Sequence, residues 1–308
     1  MTDTPPLRLA HFSDLHLTSR PLGWTRRDWL TKRVTGWLNL RVFGRGYRFR
    51  HSLAVARALA RDLAQRKPDR AIFSGDATML GFESEYALAA QILQSADVPG
   101  LAVPGNHDYY LRRNLTERTF ERHFADWQQG ERLDDATYPF AQRVGHVWLI
   151  GVNSSIPNRM GWDATGSVGP EQRQRLAALL ARLAPGPRIV VTHYPLCLAS
   201  GRPEPRFHRL RDWRACAQLA AEAGVSLWLH GHRHRAYWFP GSATIPLPTV
   251  CAGSVAQTGR MSYNEYTISG WRVHVSRREY LPQVDGFAEC ETFAFEMPGA
   301  LAGEAVTS

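Results

Sequence analysis

Cysteines, acidic residues and long apolar runs are all scarce in this chain of 308 residues, and each scarcity excludes something. Only four cysteines occur, Cys197, Cys216, Cys251 and Cys290, with no CxxC pair among them. That spacing offers neither a zinc knuckle nor a disulfide framework, so the thiols read as reduced. No run of about 18 uninterrupted apolar residues is present. The start, Met1-Thr-Asp-Thr-Pro-Pro, lacks the basic-then-apolar order of a secretion signal. These features predict a cytoplasmic protein without a leader or a spanning helix. Repeats and low-complexity blocks are missing too. What remains is 44% hydrophobic, 21% charged and 11% aromatic, a globular composition that excludes disorder as the dominant state.

Acids number 28 against 37 basic residues, for a net charge of +9. The excess is local. Residues 20–50 hold nine basic side chains (Arg20, Arg26, Arg27, Lys32, Arg33, Arg41, Arg45, Arg48 and Arg50) and one acid, Asp28, so this segment alone carries +8. A local cluster points to one face of the molecule, whereas a uniformly basic surface would point to general nucleic-acid or membrane contact.

Short apolar runs alternate with helical patterns, the rhythm of a layered α/β protein. Strands are expected at 7–12, 70–73, 100–103, 147–152, 188–191 and 225–229, with amphipathic helices at 51–65, 170–183 and 210–223. Pro170 and Glu171 suit a first helical turn, and Gly224 a helix end. From Ala236 onward the text turns β-rich, at 249–251, 265–269, 271–276 and 292–296, which predicts a second sheet closing on the first. Residues 1–298 read as one domain, and the small, polar tail at 299–308 as mobile.

Five short motifs follow predicted strands, where open α/β sheets place their sites. They are Asp14-Leu15-His16, Gly75-Asp76, Gly105-Asn106-His107-Asp108, Thr192-His193 and Gly231-His232-Arg233-His234. Singly each is weak, because a Gly-Asp pair is commonly a turn and a lone buried histidine a hydrogen-bonded core residue. Together they gather imidazoles and carboxylates at one sheet edge, which is costly unless a cation compensates them.

The ordered series D-x-H, G-D, G-N-H-D, H and G-H-x-H resembles the calcineurin-like metallophosphoesterases, from Asp14 to His234. The resemblance implies an α/β fold, a four-layer α/β/β/α sandwich of two mixed sheets, around a dinuclear metal centre. By motif position, Asp14, His16, Asp76 and His234 would hold one divalent ion, and Asp76, Asn106, His193 and His232 the other, with Asp76 bridging. Four N and O donors per ion suit manganese or iron, with zinc, nickel or cobalt as alternatives. A hydroxide shared by the ions would attack phosphorus in line. His107 would contact the phosphoryl oxygen or protonate the leaving alcohol. Asp108 is expected to fix the His107 tautomer and raise its pKa, or else to cap the following helix. Arg112 and Arg113 would pair with a phosphate or carboxylate, or stay solvated. His11 and His230 read as core or supporting residues, and Cys197 as apolar filler.

Residues 20–50 form a long connection beside the first motif, and long connections are often lids or binding loops. Trp24, Trp29, Trp37, Phe43, Tyr47 and Phe49 stand among its basic residues. Leu30, Val34, Trp37 and Leu38 are spaced for one amphipathic helix over 29–40. Three readings stay open: a peripheral membrane element, a nucleic-acid face, or a structural lid. The insert looks somewhat like that of the UDP-2,3-diacylglucosamine pyrophosphatases. The functional expectation is a phosphodiesterase or pyrophosphatase acting on a phosphoester with an apolar part. A cyclic-nucleotide phosphodiesterase and a nuclease are the alternatives, while the filled ligand positions disfavour a non-enzymatic scaffold.

Overall fold

Alternate residues of β1 (Leu7–Phe12) enter different apolar layers, as a pleated strand requires: Leu7 and Leu9 join one, Ala10 and Phe12 another. The computed structural model describes residues 5–299, so all of the predicted tail beyond residue 299 lies outside the described residues. After β1 come a 3-10 turn at Arg26–Leu30, α1 (Arg33–Arg41) and α2 (Arg45–Arg48). Then α3 (Ser52–Arg66) leads to β2 (Arg70–Phe73), and α4 (Glu83–Gln94) to β3 (Gly100–Ala102). The strands β1, β2 and β3 pair in parallel, which is what helical crossovers permit.

Two short helices, α5 (Arg112–Thr116) and α6 (Thr119–His123), precede the second sheet. It begins with the hairpin β4 (Phe140–Val144) and β5 (Val147–Gly151). It continues through α7 (Pro170–Arg182), β6 (Arg188–Val191), α8 (Trp213–Glu222) and β7 (Leu227–His230), with β5, β6 and β7 parallel. β8 (Tyr237–Phe239) and β9 (Thr249–Cys251) complete it. The chain then returns: β10 (Ser262–Ser269) pairs antiparallel with β1, and β11 (Arg272–Leu281) and β12 (Gly286–Glu296) extend that edge.

The result is two mixed six-stranded sheets, ordered β12-β11-β10-β1-β2-β3 and β4-β5-β6-β7-β9-β8. One apolar layer lies between them, with Leu9, Ile72, Leu149, Ile189 and Tyr266 in it. The outer layers pack α3 and α4 on the first sheet, and α7 and α8 on the second. This is the expected four-layer α/β/β/α sandwich.

Two expectations need correction. The β-rich segment 236–298 does not make the second sheet: only β8 and β9 join it, and β10 to β12 complete the first. Strand pairing decides this, because β10 finds the free edge of β1. The helix expected over 29–40 is also broken. Asp28 closes the 3-10 turn by accepting from Thr25 N and Oγ1, at 2.8 and 2.7 Å, while its carbonyl accepts from Thr31 N and Oγ1. Thr31 is thereby held extended and α1 starts afresh at Arg33. No helix among the described residues is long and apolar enough to cross a membrane.

Candidate metal centre

All five motifs arrive at one edge, at the C-terminal ends of β1, β2, β3, β6 and β7. The turns are tight. Asp14, His16, Asp76, His232 and His234 have φ of 59°, 45°, 61°, 70° and 53°, five of the nine non-glycine residues with positive φ among the described residues. Each such residue costs about 1–3 kcal/mol, so their concentration here marks a site whose geometry outweighs backbone comfort. Gly105 shows the crowding: a Cβ there would lie 2.1 Å from Asp76 Oδ1.

One ligand atom from each of Asp14, His16, Asp76 and His234 lies within 4.8 Å of the others. His16 Nε2 is 3.1 Å from His234 Nε2, and 3.5 Å from both Asp14 Oδ1 and Asp76 Oδ2. Asp14 Oδ1 is buried and accepts no hydrogen bond, although His234 Nε2 stands 3.0 Å away. A second group adjoins the first. Asn106 Oδ1 faces His193 Nε2 at 3.1 Å and His232 Nδ1 at 3.2 Å, and Asp76 Oδ2 is 3.5 Å from His193 Nε2. The Asp76 carboxylate therefore sits between the two groups.

The far ring nitrogens of three histidines are each held by an acceptor. His193 Nδ1 meets Ser74 O at 2.8 Å, His234 Nδ1 meets Gln257 Oε1 at 2.6 Å, and His232 Nε2 meets His208 O at 3.0 Å. Carbonyls only accept, so those nitrogens carry protons and the opposite nitrogens face inward, able to offer lone pairs to a cation that takes the place of any second proton. This arrangement is typical of metal-binding imidazoles. Burial opposes charge on Asp76, yet His193, His107 and His16 keep its carboxyl below the usual range. Burial likewise lowers His193, but Asp76 and Asp14 more than offset this and raise it to about 9. The donor set thus favours positive charge at its centre. Buried carboxylates, an amide oxygen and inward lone pairs, with no thiolate among them, fit two divalent ions of the harder kind.

The third motif behaves differently from expectation. Asp108 does not touch the His107 ring, and it does not cap α5, whose N-cap is Leu111. Its carboxylate instead accepts from the backbone N–H of Asp76, Thr78 and Gly105 at 2.8, 3.1 and 2.9 Å, lacing the second motif to the third. Burial and the Asp76 charge push it up to about 7. The tautomer of His107 is set by Met79 O, 2.7 Å from Nδ1. Burial and Arg45 lower the His107 pKa, where the opposite was expected.

Arg113 and Arg112 are not gathered with the donors. Arg113 pairs with Asp28 and ties the insert down, while Arg112 is exposed. The insert supplies what sequence reasoning missed. Arg45 Nη2 reaches within 2.8 Å of His107 Nε2, and the buried Phe49 ring stands 4.6 Å from His16 and 5.7 Å from His234. Glu204, buried and pushed up to about 7 by that burial, lies 3.8 Å from His232. These residues come from the short helix α2, its end and a loop, none of which carries a motif, so only the aromatic-basic bias of 20–50 hinted at any of them. His11 is a core residue, bonded to Ser74 and Tyr266 and lowered to about 3 by burial. Cys197 is buried in the second sheet's outer layer, and all four cysteines are free.

Beside the centre, the insert and helices α3 and α4 enclose a cavity of about 1360 Å³. Leu22, Trp24, Trp37, Leu40 and Leu88 line it, with Arg20, Arg41 and Arg50 around them. Phe49 and Met79 belong to the same wall.

The family model described as calcineurin-like phosphoesterase matches residues 7–236. A probable cyclic nucleotide phosphodiesterase of Pseudoalteromonas is 26% identical over 75% of this chain and 72% of its own length. A probable glycerophosphodiester phosphodiesterase of Arcobacter nitrofigilis is 32% identical over 42% of each chain, so the likeness spans less than half of that relative. Among solved structures, a dimetal phosphatase from Danio rerio superposes with a TM-score of 0.66 at 12% identity, covering 95% of this chain and 99% of its own. A purple acid phosphatase from yellow lupin gives 0.59 at 14% identity, covering 96% and 54%. At these identities the structures show a shared fold. The matched segment contains every motif at the sheet edge, and the chain belongs to the calcineurin-like phosphoesterase family.

Proposed function

We propose that this metallophosphoesterase hydrolyses a phosphodiester or phosphoanhydride bond in a substrate with an apolar part, such as a lipid-linked pyrophosphate or UDP-2,3-diacylglucosamine. One observation carries the reading: the apolar cavity borders the donor cluster, because Phe49 and Met79 line the first, Phe49 lying against His16 of the second and Met79 bonded to His107 beside it. Asp14, His16, Asp76 and His234 would hold one ion, and Asp76, Asn106, His193 and His232 the other, with manganese the first choice. Two bound divalent ions would polarise the phosphoryl oxygen and lower the pKa of a shared water. His107 would meet the phosphoryl oxygen or the leaving alcohol through Nε2 once that nitrogen is protonated and gives up the bond it accepts from Arg45, while Met79 O holds the proton on Nδ1. Asp108 would hold the Asp76 and Gly105 turns in register.

The outer side of the insert supports peripheral contact with an anionic membrane, at the inner face of the cell. Trp29, Leu30, Val42, Phe43 and Tyr47 are exposed there among arginines, a pairing suited to lipid headgroups. Val42 and Tyr47 also line the cavity, so its mouth opens on that side. A cyclic nucleotide is the second reading, favoured by the relative that matches 75% of the chain.

A substrate panel under saturating manganese tests the proposal: UDP-diacylglucosamine, phospholipids, cyclic nucleotides and single-stranded DNA, with sedimentation on anionic vesicles alongside. Turnover of a lipidic substrate is expected, with its KM raised about tenfold or more by Leu53→Trp at the cavity mouth, relative to that of bis-p-nitrophenyl phosphate. Preference for cyclic nucleotides would install the second reading. Turnover of DNA alone, or no vesicle binding, would contradict the lipid reading.

A further inference from the structure

The insert delivers one cation to the centre without an acid to accompany it. Arg45 stands between Gly44 and Gly46, and a Cβ on Gly46 would lie 2.4 Å from Leu40 O, so glycine lets α2 fold tightly back on α1. Arg45 thereby points inward, with Nη2 2.8 Å from His107 Nε2 and Nε 3.3 Å from Met79 Sδ. Neither neighbour is an anion. Asp28, the insert's one acid, is taken by Arg33 and Arg113, and Arg45 enters no ion pair among the described residues. The acids whose charges reach it are Asp76 and Asp14, which belong to the donor cluster.

A guanidinium offers five N–H donors in a planar fork. Here one faces an imidazole and one a thioether, so the rest of the fork is unspent. Holding such a group partly out of water without an anion is unfavourable, and an arriving phosphate relieves that cost. The fork also matches two phosphate oxygens at once. His107 cannot substitute for it in this state, because its proton is on Nδ1 and Nε2 accepts from Arg45.

We propose that Arg45 is a substrate-binding residue, the guanidinium that grips a phosphate oxygen beside the metal centre. The inference rests on the phosphoester-hydrolase reading and adds a residue that lies outside every family motif in the chain. The gripped oxygen belongs either to the phosphate under attack or to its neighbour in a phosphoanhydride.

Full-length protein with saturating manganese provides the test, and wild-type turnover of bis-p-nitrophenyl phosphate comes first. If that is absent the hydrolase reading fails, while binding of inorganic phosphate by calorimetry still tests Arg45. Arg45→Ala is expected to keep its metal content, to lower kcat/KM about 100-fold, as loss of one oxyanion donor does, and to weaken inorganic phosphate binding about tenfold or more. Arg45→Lys restores the charge without the fork and should recover only part of the loss. Arg48→Ala, exposed on the same turn, controls for net charge. Equal losses on thymidine monophosphate p-nitrophenyl ester and on a UDP-sugar place the fork on the reacting phosphate. A larger loss on the UDP-sugar places it on the neighbour. Phosphate affinity and kcat/KM unchanged in Arg45→Ala, an equal fall in Arg48→Ala, or loss of metal would each overturn the proposal.

Discussion

Asp76 stands where two groups of donors meet, 3.5 Å from His16 on one side and from His193 on the other. If it is shared by two ions, removing its charge empties both positions. Asp76→Asn is therefore expected to lose both metals by elemental analysis, and a variant that retains two would contradict the bridging role. His107→Ala removes no donor, so it should keep both ions while turnover falls roughly 100-fold or more. Near-normal turnover would remove His107 from the chemistry. A pH effect arises further from the centre. Burial pushes Glu85 up to about 8, against the bonds it accepts from the N–H groups of Leu80 and Phe82. The folded chain thus keeps a proton that the unfolded chain releases above about 4.3. This group's contribution to stability is full below that value and is lost as pH rises towards 8. Glu85→Gln should flatten the fall of urea stability with pH by up to about 1.4 kcal/mol per unit, and an unchanged slope would refute the assignment. At this scale the sequence was informative wherever a residue type and its strand-end position coincided, as at Asp14, Asp76 and His193. It did not single out Arg45, Glu204 or Gln257, whose bonding partners His107, Arg233 and His234 lie 62, 29 and 23 residues away along the chain. It also misplaced the Asp108 carboxylate, because adjacency to His107 suggests a contact that the turn does not make.

Among the elements, the insert shows how one buried acid organises a basic segment. Asp28 closes the 3-10 turn and takes both Arg33 and Arg113. Arg33 in turn donates from Nε to Leu80 O at 3.0 Å and lies 3.9 Å from the Phe82 ring centroid. This pins the insert to the loop that Glu85 holds. Asp28→Ala strands the Arg33 guanidinium, which is only 3% exposed, and should cost on the order of 3 kcal/mol. Urea denaturation would show that loss, with limited proteolysis cutting earlier within 20–50. Unchanged stability would mean the segment is held by its tryptophans alone, through the Trp24–Phe82 and Trp24–Trp37 contacts. The apolar spacing of Leu30, Val34, Trp37 and Leu38 correctly signalled helix but could not show the break at Thr31, which is made by side-chain bonds to Asp28. Strands were legible because apolar runs on both faces of a parallel strand leave a plain mark. Their partners were not, since nothing local in β10 says that it will pair with β1 rather than found a new sheet.

At the scale of the whole molecule, charge and architecture divide the labour. Two sheets supply the rigid edge on which the donors converge, and the insert supplies +8 of the net charge of +9, an apolar cavity and one guanidinium at the centre. The basic excess therefore bears on which phosphate-bearing molecule is brought to the site, while the donors bear on what is done to it. The central claim is that this edge is a working two-metal hydrolytic centre. Its most direct test is the rate of bis-p-nitrophenyl phosphate hydrolysis as chelator-stripped protein is titrated with manganese. The account predicts no turnover in the stripped protein and a rate that saturates near two equivalents of metal per chain. A rate indifferent to chelation, or none at any manganese concentration, would contradict it.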